Sequence, residues 1–344
     1  MATVGEFGVI AGVTAGRPQS AATLLGPGDD AAVVAAPDQR VVASTDVLVD
    51  GVHFRLDWST PEQVGRKAAA ANLADIAAMG AVPTALLVGL ACPRETPMDV
   101  LSGLADGLWA EAGTVGIGVV GGDLVSGPAM VVAVTALGSL EGRAPVTRAG
   151  ARPGDRVALC GRVGWSAAGL AVLARGFRSP VAVVGAHRVP EPPYAAGPQA
   201  ALAGATAMID VSDGLLADLG HVAAASGVRV NVRADRLAVP QRLLEVGSAL
   251  GLDPLHWLLT GGEDHALAAT FPTDAALSQL DEVYDAWTTG VRKLDAEALG
   301  RPVGPAEGPW SEHSMAELVL HINREAIHHG AEVALLRDLY AARE

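Results

Sequence analysis

The sequence predicts an α+β domain followed by an α/β domain and a helical tail. Strand and helix patterns alternate over residues 30–145, which is typical of a mixed domain. A Gly/Pro-rich turn and a new strand pattern begin in "RAGARPGDRVAL". From about residue 281 the pattern changes to one long amphipathic helix. We therefore expect a first domain at 1–146, a second domain at 147–275 and a tail of different origin at 281–344.

Strand and helix signals define the first domain. Apolar runs favour strands at Val41–Asp46, Ala85–Leu90, Ile117–Val120 and Met130–Leu137. The clearer helix lies in "STPEQVGRKAAAANLADIAAMGA". There Thr60 fits the N-cap, Pro61 the first helical position and Gln63 the third position of a capping box. Gly80 fits a stop after Met79, and residues about 98–113 are expected to form the second helix.

The second domain begins with a turn and a strand, and a Gly-rich loop with a helix follows at Gly161–Leu173. A Pro-rich connector, "VPEPPYAAGP", precedes "AMIDVSDGLLADLGHVAAASG", which predicts a strand end, a turn and a helix that stops at Gly227. The segment "LLTGGEDHALAATF" predicts a glycine turn that leads into another strand. These alternations favour an α/β domain.

Composition excludes several classes of function. The 344 residues carry a net charge of -14, whereas nucleic-acid binding needs a basic face. No apolar run reaches the length of a membrane span, and "MATVGEFGVI" does not resemble a signal peptide. Two cysteines fit a reducing cytoplasm. The chain has two lysines, Lys67 and Lys293, and neither belongs to a Walker A loop. A nucleotide triphosphate would therefore have to be bound without a P-loop lysine.

Acidic residues recur at the ends of apolar runs, beside Gly, Ser or Thr. A single Asp there usually serves a turn or a cap, but strand ends and glycine turns are also where α/β proteins build their sites. Because carboxylates, substrate phosphates and water are what Mg²⁺ prefers, the recurrence predicts a magnesium–phosphate site. The acids in question are Asp29, Asp30, Asp46, Asp75, Asp123, Asp210, Asp213, Glu263 and Asp264.

Asp75 is the most informative of these acids. Its neighbours one helical turn away are Ala71, Asn72, Ala78 and Met79, a small and mainly apolar face that should pack against another element. A carboxylate on such a face departs from the pattern. It is either an exposed helical acid or an oxygen ligand for a hard cation.

Taken together, the motifs resemble the thiamine-monophosphate kinase family, which shares a superfamily with aminoimidazole ribonucleotide synthetase and selenophosphate synthetase. The resemblance covers roughly residues 5–271 and rests on "GPGDDAAVV", "STDVLVDGVHF", "NLADIAAMGA", "VVGGDLVSG", "TRAGARPGD", "IDVSDGLLADL" and "GGEDHAL", in the family's order and spacing. It implies a PurM-like architecture whose N-terminal sheet forms a homodimer. It also implies ATP as co-substrate, several Mg²⁺ ions and conversion of thiamine monophosphate to thiamine diphosphate.

The resemblance also implies roles for individual residues. ATP contacts would be Gly122, Asp123, Arg148 and Ser212. Thiamine-phosphate contacts would be His53 and Glu263. The Mg²⁺ ligands would be Asp30, Ser44, Thr45, Asp46, Asp75, Asp123, Asp210 and Asp213. Of the two adjacent acids, Asp30 is the expected ligand, whereas Asp29 shapes the turn.

The tail departs from the family. Residues about 281–344 replace the segment that normally closes the second domain, and they resemble the C-terminal part of DinB-like metal-binding bundle proteins. His321, Glu325 and His328 or His329 share one helical face, which would form either a metal site or a solvated polar face.

Two alternatives remain beside the kinase. Another ATP-dependent synthetase of the same superfamily would act on a different phosphate, although "GVHF" and "GGEDHAL" argue against it. A fusion with the altered tail would instead be a non-catalytic nucleotide- or metal-binding protein.

Overall fold

The computed structural model describes residues 5–27, 31–273, 295–302 and 314–315. The chain divides into two compact units, Met1–Ala276 and Leu277–Glu344. In chain order, the first half of the larger unit contains α1 (Gly5–Thr14), β1 (Thr23–Leu25), β2 (Val33–Val34), β3 (Val42–Val49), α2 (Pro61–Ala78), β4 (Val82–Cys92), α3 (Met98–Thr114), β5 (Val119–Ser126) and β6 (Val131–Ser139).

Four of these strands form one sheet in the order β3-β6-β4-β5. β6 pairs antiparallel with both β3 and β4, and β5 runs parallel to β4. Helices α2 and α3 pack on each other and form the first hydrophobic core with sheet residues such as Leu86, Val132 and Val134. Gly122 belongs to this packing, because a Cβ there would lie 2.0 Å from the carbonyl oxygen of Val88 on the neighbouring strand.

The termini of α2 confirm the capping prediction. The Thr60 hydroxyl accepts a hydrogen bond from the Gln63 backbone N–H at 3.3 Å, and the Gln63 side chain accepts one from the Thr60 N–H at 3.0 Å. Pro61 is the first residue of the helix, and Gly80 follows the C-cap residue Met79 with a φ of 71°. The helix therefore begins and ends where local chemistry predicts.

The second half of the larger unit is a small sheet surrounded by helices. Its sheet has the order β7-β9-β8, and β9 is antiparallel to both neighbours. Its elements are β7 (Arg156–Cys160), α4 (Trp165–Ala174), α5 (Val181–Arg188), α6 (Ala196–Leu202), β8 (Ala207–Val211), α7 (Leu215–Ser226), a short 3-10 helix (Ala234–Arg236), α8 (Gln241–Leu250), α9 (Pro254–Thr260) and β9 (Ala266–Phe271).

A second hydrophobic core lies in this half, formed by residues such as Val172, Ile209, Leu243 and Trp257. The α+β followed by α/β class is therefore confirmed, with the added finding that the second sheet pairs its strands antiparallel.

The smaller unit is described over a few residues. Helix α10 (Ala296–Gly300) begins at Asp295, whose carboxylate accepts a hydrogen bond from the Ala298 N–H at 2.8 Å. The predicted tail helix, with His321, Glu325, His328 and His329, lies outside the described residues. In the part of the chain that is described, no helix is long and apolar enough to cross a membrane.

Candidate functional site

A cluster of acids forms where β3 and α2 meet. Alternation along β3 turns Ser44 and Asp46 toward α2. The Ser44 hydroxyl donates a hydrogen bond to Asp75 Oδ2 at 2.5 Å, and the Asp46 backbone N–H donates to Asn72 Oδ1 at 2.9 Å. Asp75 is half-buried, in contrast to the exposed helical acid that the sequence also allowed.

The third acid of this cluster comes from the second half. Asp210 lies in β8 and is 4% exposed, and its Oδ2 is 3.1 Å from Nδ1 of the buried His265. Ser44, Asp75, Arg148 and Asp210 line one cavity of about 230 Å³. Four of the residues that the family resemblance implied are therefore brought together from distant parts of the chain.

Burial and neighbouring negative charge raise the pKa values of Asp75 and Asp46. Burial raises the pKa of Asp75 to about 6; the charges of Asp210 and Asp46 add to this effect, and the Ser44 hydrogen bond opposes it. Burial, with Asp210, also raises the pKa of Asp46. Because like charges disfavour ionisation, the cluster favours a cation placed against it.

The donor set fits Mg²⁺ in its chemistry. All the donors are hard oxygens, and Mg²⁺ is commonly held by one or two carboxylates with substrate phosphates and water. Within residues 5–27, 31–273, 295–302 and 314–315, however, no group of three or more His, Cys, Asp or Glu side chains could hold a metal ion. Such a site would thus need phosphate oxygens or residues beyond the described ranges. Asp30 lies outside the described residues.

Next to the acids lies a cleft with both polar and apolar walls. Its volume is about 430 Å³. We call it the cleft; its lining residues are Gly51, Val52, His53, Phe54, Arg55, Trp58, Ser166, Ala167, Leu170, His187, Gly262 and Glu263. His53 lies close enough to Asp46 to oppose the rise that burial causes in the pKa of that carboxyl, so the cleft and the acid cluster are neighbours.

Lys67 is a buried residue that contacts two residues of the cleft lining. This α2 residue is 4% exposed; its ammonium pairs with the Glu263 carboxylate and donates to the His53 carbonyl at 3.1 Å. Burial opposes ionisation of Glu263, but the Lys67 charge holds the pKa of this carboxyl below its ordinary value. The predicted substrate contacts His53 and Glu263 are therefore joined by a lysine that the motifs did not single out.

The Glu263 turn adopts an unusual backbone conformation. Glu263 and His265 have φ values of 64° and 53°, in the left-handed region that side chains rarely adopt. The Glu263 N–H donates to the Ser212 carbonyl at 2.7 Å, and the His265 N–H donates to the Val211 carbonyl at 3.0 Å. Such conformations concentrate at functional sites, where surrounding contacts maintain them.

Ser166 and His187 form a second polar element of the cleft, which motif reasoning missed. The Ser166 hydroxyl is 3.0 Å from His187 Nδ1, and the two residues are 1% and 8% exposed. Burial, together with the Lys67 charge, lowers the pKa of His187 to about 4, so its ring is neutral at pH 7. The signal in the sequence was slight, because His187 is next to Arg188 at a helix end, where basic residues are common.

Asp264 anchors the start of α4. Its Oδ1 accepts a hydrogen bond from the Ser166 N–H at 2.9 Å, while its buried Oδ2 has no hydrogen-bond partner among the described residues. Burial raises the pKa of Asp264 to about 6, although backbone N–H donors of Ser166, Gly164 and Trp165 lower it. Ionised Asp264 is therefore a destabilising element at neutral pH.

A pH dependence of stability follows from Asp264. Its folded pKa exceeds its unfolded value, so its stabilising contribution is complete below pH 4 and is lost as the pH rises through 6. Asp264→Asn should remove this contribution, which is about 3 kcal/mol for a pKa raised from 3.8 to about 6. Urea unfolding at pH 5 and pH 8 in the wild type and the variant measures it; equal pH slopes in the two proteins would contradict the assignment.

Other predicted residues lie apart from this cluster or turn away from it. Gly122 and Asp123 line a different, mainly apolar cavity between α1 and α3, where Asp123 Oδ1 accepts from the Leu124 N–H at 2.9 Å. Thr45 alternates to the other face of β3, and its hydroxyl donates to the Val134 carbonyl at 3.0 Å. Ser212 and Asp213 lie in the turn between β8 and α7, next to the Glu263 turn.

Comparison with known proteins gives two family matches. The model of "AIR synthase related protein, N-terminal domain" matches residues 28–140. The model of the DinB superfamily matches residues 213–333, which starts upstream of the tail expected from sequence. Both resemblances drawn from the motifs are thus confirmed.

Individual relatives extend the first match over most of the chain. A thiamine-monophosphate kinase of Mycobacterium tuberculosis (strain CDC 1551 / Oshkosh) is 55% identical over 285 residues, which cover 82% of this chain and 86% of the relative. The crystal structure of a thiamine-monophosphate kinase from Stenotrophomonas maltophilia K279a has a TM-score of 0.67 and 35% identity, covering 77% of this chain and 86% of that one.

A further solved structure carries ligands. It is described as AaThiL complexed with AMPPCP and TMP, and it has a TM-score of 0.66 and 30% identity. The match covers 80% of this chain and 87% of that chain.

Proposed function

Since this chain belongs to the thiamine-monophosphate kinase family, we propose that it transfers the terminal phosphoryl group of ATP to thiamine monophosphate and forms thiamine diphosphate. One structural observation supports the proposal independently of the relatives. The acid cluster of Asp46, Asp75 and Asp210 adjoins a cleft whose walls are part apolar and part polar. A phosphorylated organic molecule would place its anionic end at the first and its ring system in the second.

The phosphoryl transfer does not need a strong general base. The acceptor is a phosphate monoester with a second pKa of about 6, so it is already an oxyanion at neutral pH. Catalysis then consists mainly of aligning two anionic groups in line and offsetting their charge. The lack of a Walker A lysine is consistent with this scheme, because the positive charge can come from ions bound by the acids.

The Mg²⁺ ligands remain a proposal. Asp46, Asp75 and Asp210, with the Ser44 hydroxyl, would hold the ions, and bound Mg²⁺ would neutralise charge on the transferred group. The proposed set also includes Asp30, Asp123 and Asp213; the hydroxyl of Thr45 lies on the other face of β3, so the structure gives no support to Thr45 as a ligand.

The substrate contacts are also proposals. For ATP we propose Gly122, Asp123, Arg148 and Ser212, of which Arg148 lines the same cavity as Asp75. For thiamine monophosphate we propose His53 and Glu263, which line the cleft.

Turnover tests the function directly. The purified full-length chain with ATP, Mg²⁺ and thiamine monophosphate should form thiamine diphosphate, measured by chromatography of the product. Product at background level, with an ATP analogue still bound in calorimetry, would refute the kinase. That outcome would favour the non-catalytic fusion, to which the DinB match at residues 213–333 gives some support. Turnover of a different phosphate in a substrate panel would indicate another synthetase of the superfamily.

Compartment and domain boundary complete the proposal. We place the enzyme in the cytoplasm, because Cys92 and Cys160 form no disulfide, which suits a reducing environment. We keep a boundary between 146 and 147 within the larger unit. The two separate hydrophobic cores on either side of it support that division.

The uncovered face of the first sheet supports a homodimer. Thr45 and Val47 of β3 point away from α2, and Val47 is 47% exposed. An exposed apolar strand face is a common dimer interface. The wild type is expected to have twice the 34.8 kDa mass of one chain in light scattering, and Val47→Asp is expected to reduce it to one chain. Val157→Asp, at a 43% exposed valine of β7, is the matched control that should leave the mass unchanged. A monomeric wild type would contradict the dimer.

A further inference from the structure

Helices α4 and α5 hold the Ser166–His187 pair in a fixed position. Gly169 of α4 packs directly on α5, since a Cβ there would lie 2.1 Å from the Val183 carbonyl oxygen and 2.9 Å from His187 Cβ. Asp264 fixes the first turn of α4 through the Ser166 N–H. The serine hydroxyl and the imidazole therefore meet on two helices in close contact, and little side-chain entropy is lost when a ligand binds.

The imidazole of His187 has one nitrogen, Nε2, that can bind a ligand in the cleft. Ser166 engages Nδ1 at 3.0 Å, and Nε2 on the other side of the ring is left for a ligand, because His187 lines the cleft. The ring is neutral at pH 7. A neutral imidazole has one donor and one acceptor nitrogen, and the hydroxyl can accommodate either tautomer. It is better suited to a neutral polar ring than to a phosphate, for which an arginine or a lysine would be expected.

The rest of the cleft indicates which part of a substrate lies here. Phe54, Trp58 and Leu170 provide apolar walls, which suit a flat ring system. The acid cluster lies beside His53 and would take the phosphate under the proposed function. Thiamine monophosphate has a phosphate at one end and a neutral aminopyrimidine at the other, with ring nitrogens that accept and an amine that donates hydrogen bonds.

We propose that His187, oriented by Ser166, recognises the aminopyrimidine ring of thiamine monophosphate through its Nε2 atom. This inference rests on the proposed function and adds a specificity-determining residue to it. Neither the motifs nor the resemblance assigned a role to Ser166 or His187.

Paired changes in protein and ligand test the inference. Calorimetry on the full-length chain measures the Kd of thiamine monophosphate and of the thiazole phosphate that lacks the pyrimidine. His187→Phe keeps a ring but removes both nitrogens, and it should weaken binding of thiamine monophosphate by about tenfold. It should leave the affinity for thiazole phosphate unchanged. His187→Gln, whose amide reaches toward the Nε2 position, should recover most of the loss.

Controls separate recognition from folding and from the proposed function. Thermal unfolding and binding of an ATP analogue should match the wild type in both variants. Equal weakening of the two ligands by His187→Phe, or no weakening of either, would overturn the inference while wild-type turnover still supports the kinase. If the variants do not fold, ¹⁵N-histidine NMR on the wild type decides the question. The Nε2 resonance of His187 should then shift with thiamine monophosphate and stay in place with thiazole phosphate; identical responses to the two ligands would reject the proposal.

Discussion

Asp75→Asn is expected to reduce kcat about a thousandfold, the scale seen when one group that offsets transition-state charge is lost. The change removes the charge of Asp75 and keeps an oxygen that can accept the Ser44 hydrogen bond. Burial and the charges of Asp46 and Asp210 already make ionised Asp75 unfavourable in the free protein. We therefore expect the metal-free variant to be at least as stable as the wild type.

This combination of lost activity and retained stability distinguishes a site residue from a structural one. Steady-state turnover as a function of Mg²⁺ concentration, with urea unfolding of the metal-free protein, measures both effects. Asp235→Asn is the matched control. Asp235 is an exposed carboxylate paired with Arg233 at 2.7 Å, and exposed pairs contribute little. A kcat for Asp75→Asn within tenfold of the wild type at saturating Mg²⁺ would remove Asp75 from the site.

Lys67→Met is expected to cost about 2 to 3 kcal/mol of folding free energy, between the values for surface and buried ion pairs. The lysine is buried, whereas the Glu263 side chain is 37% exposed, so water offsets part of the loss. The variant also leaves the His53 carbonyl without its lysine donor. The affinity for thiamine monophosphate should fall as well, because both partners of Lys67 line the cleft.

A double-mutant cycle shows whether the ion pair carries this energy. Urea unfolding of Lys67→Met, Glu263→Gln and the double variant should give a double-variant loss smaller than the sum of the single losses. Arg233→Met breaks an exposed pair and serves as the control, with an expected cost below about 1 kcal/mol. A cost of Lys67→Met as small as that of the control would contradict the supporting role of Lys67.

Local chemistry explains why so much of the first half could be predicted. The capping residues Thr60 and Gln63 and the stop at Gly80 act within a few residues, so the limits of α2 are visible in the sequence. Asp75 was recognisable because a charge on a small apolar helix face breaks the expected pattern. The structure places it against Ser44, which is 31 residues away in sequence.

Long-range contacts explain what the sequence did not reveal. Lys67 meets Glu263 only where the two halves of the larger unit pack together, and Ser166 meets His187 only once α4 and α5 have packed on each other. Neither pair has a characteristic spacing, and each residue alone fits an ordinary helix position. Gly122 shows the opposite case, in which a motif residue has a structural explanation. The motif implied an ATP contact, but the close approach of β4 and β5 requires a glycine at this position whether or not it binds ATP.

Helix α2 contributes to both ends of the proposed substrate site. Lys67 reaches the cleft, and Asp75 reaches the acid cluster. Asp75 lies eight positions after Lys67, which corresponds to about 12 Å along a regular helix. The spacing between the two contact points is therefore set by a rigid element rather than by a loop. A phosphorylated ligand must match this length as well as the chemistry at each end, so α2 acts as a molecular ruler for the substrate.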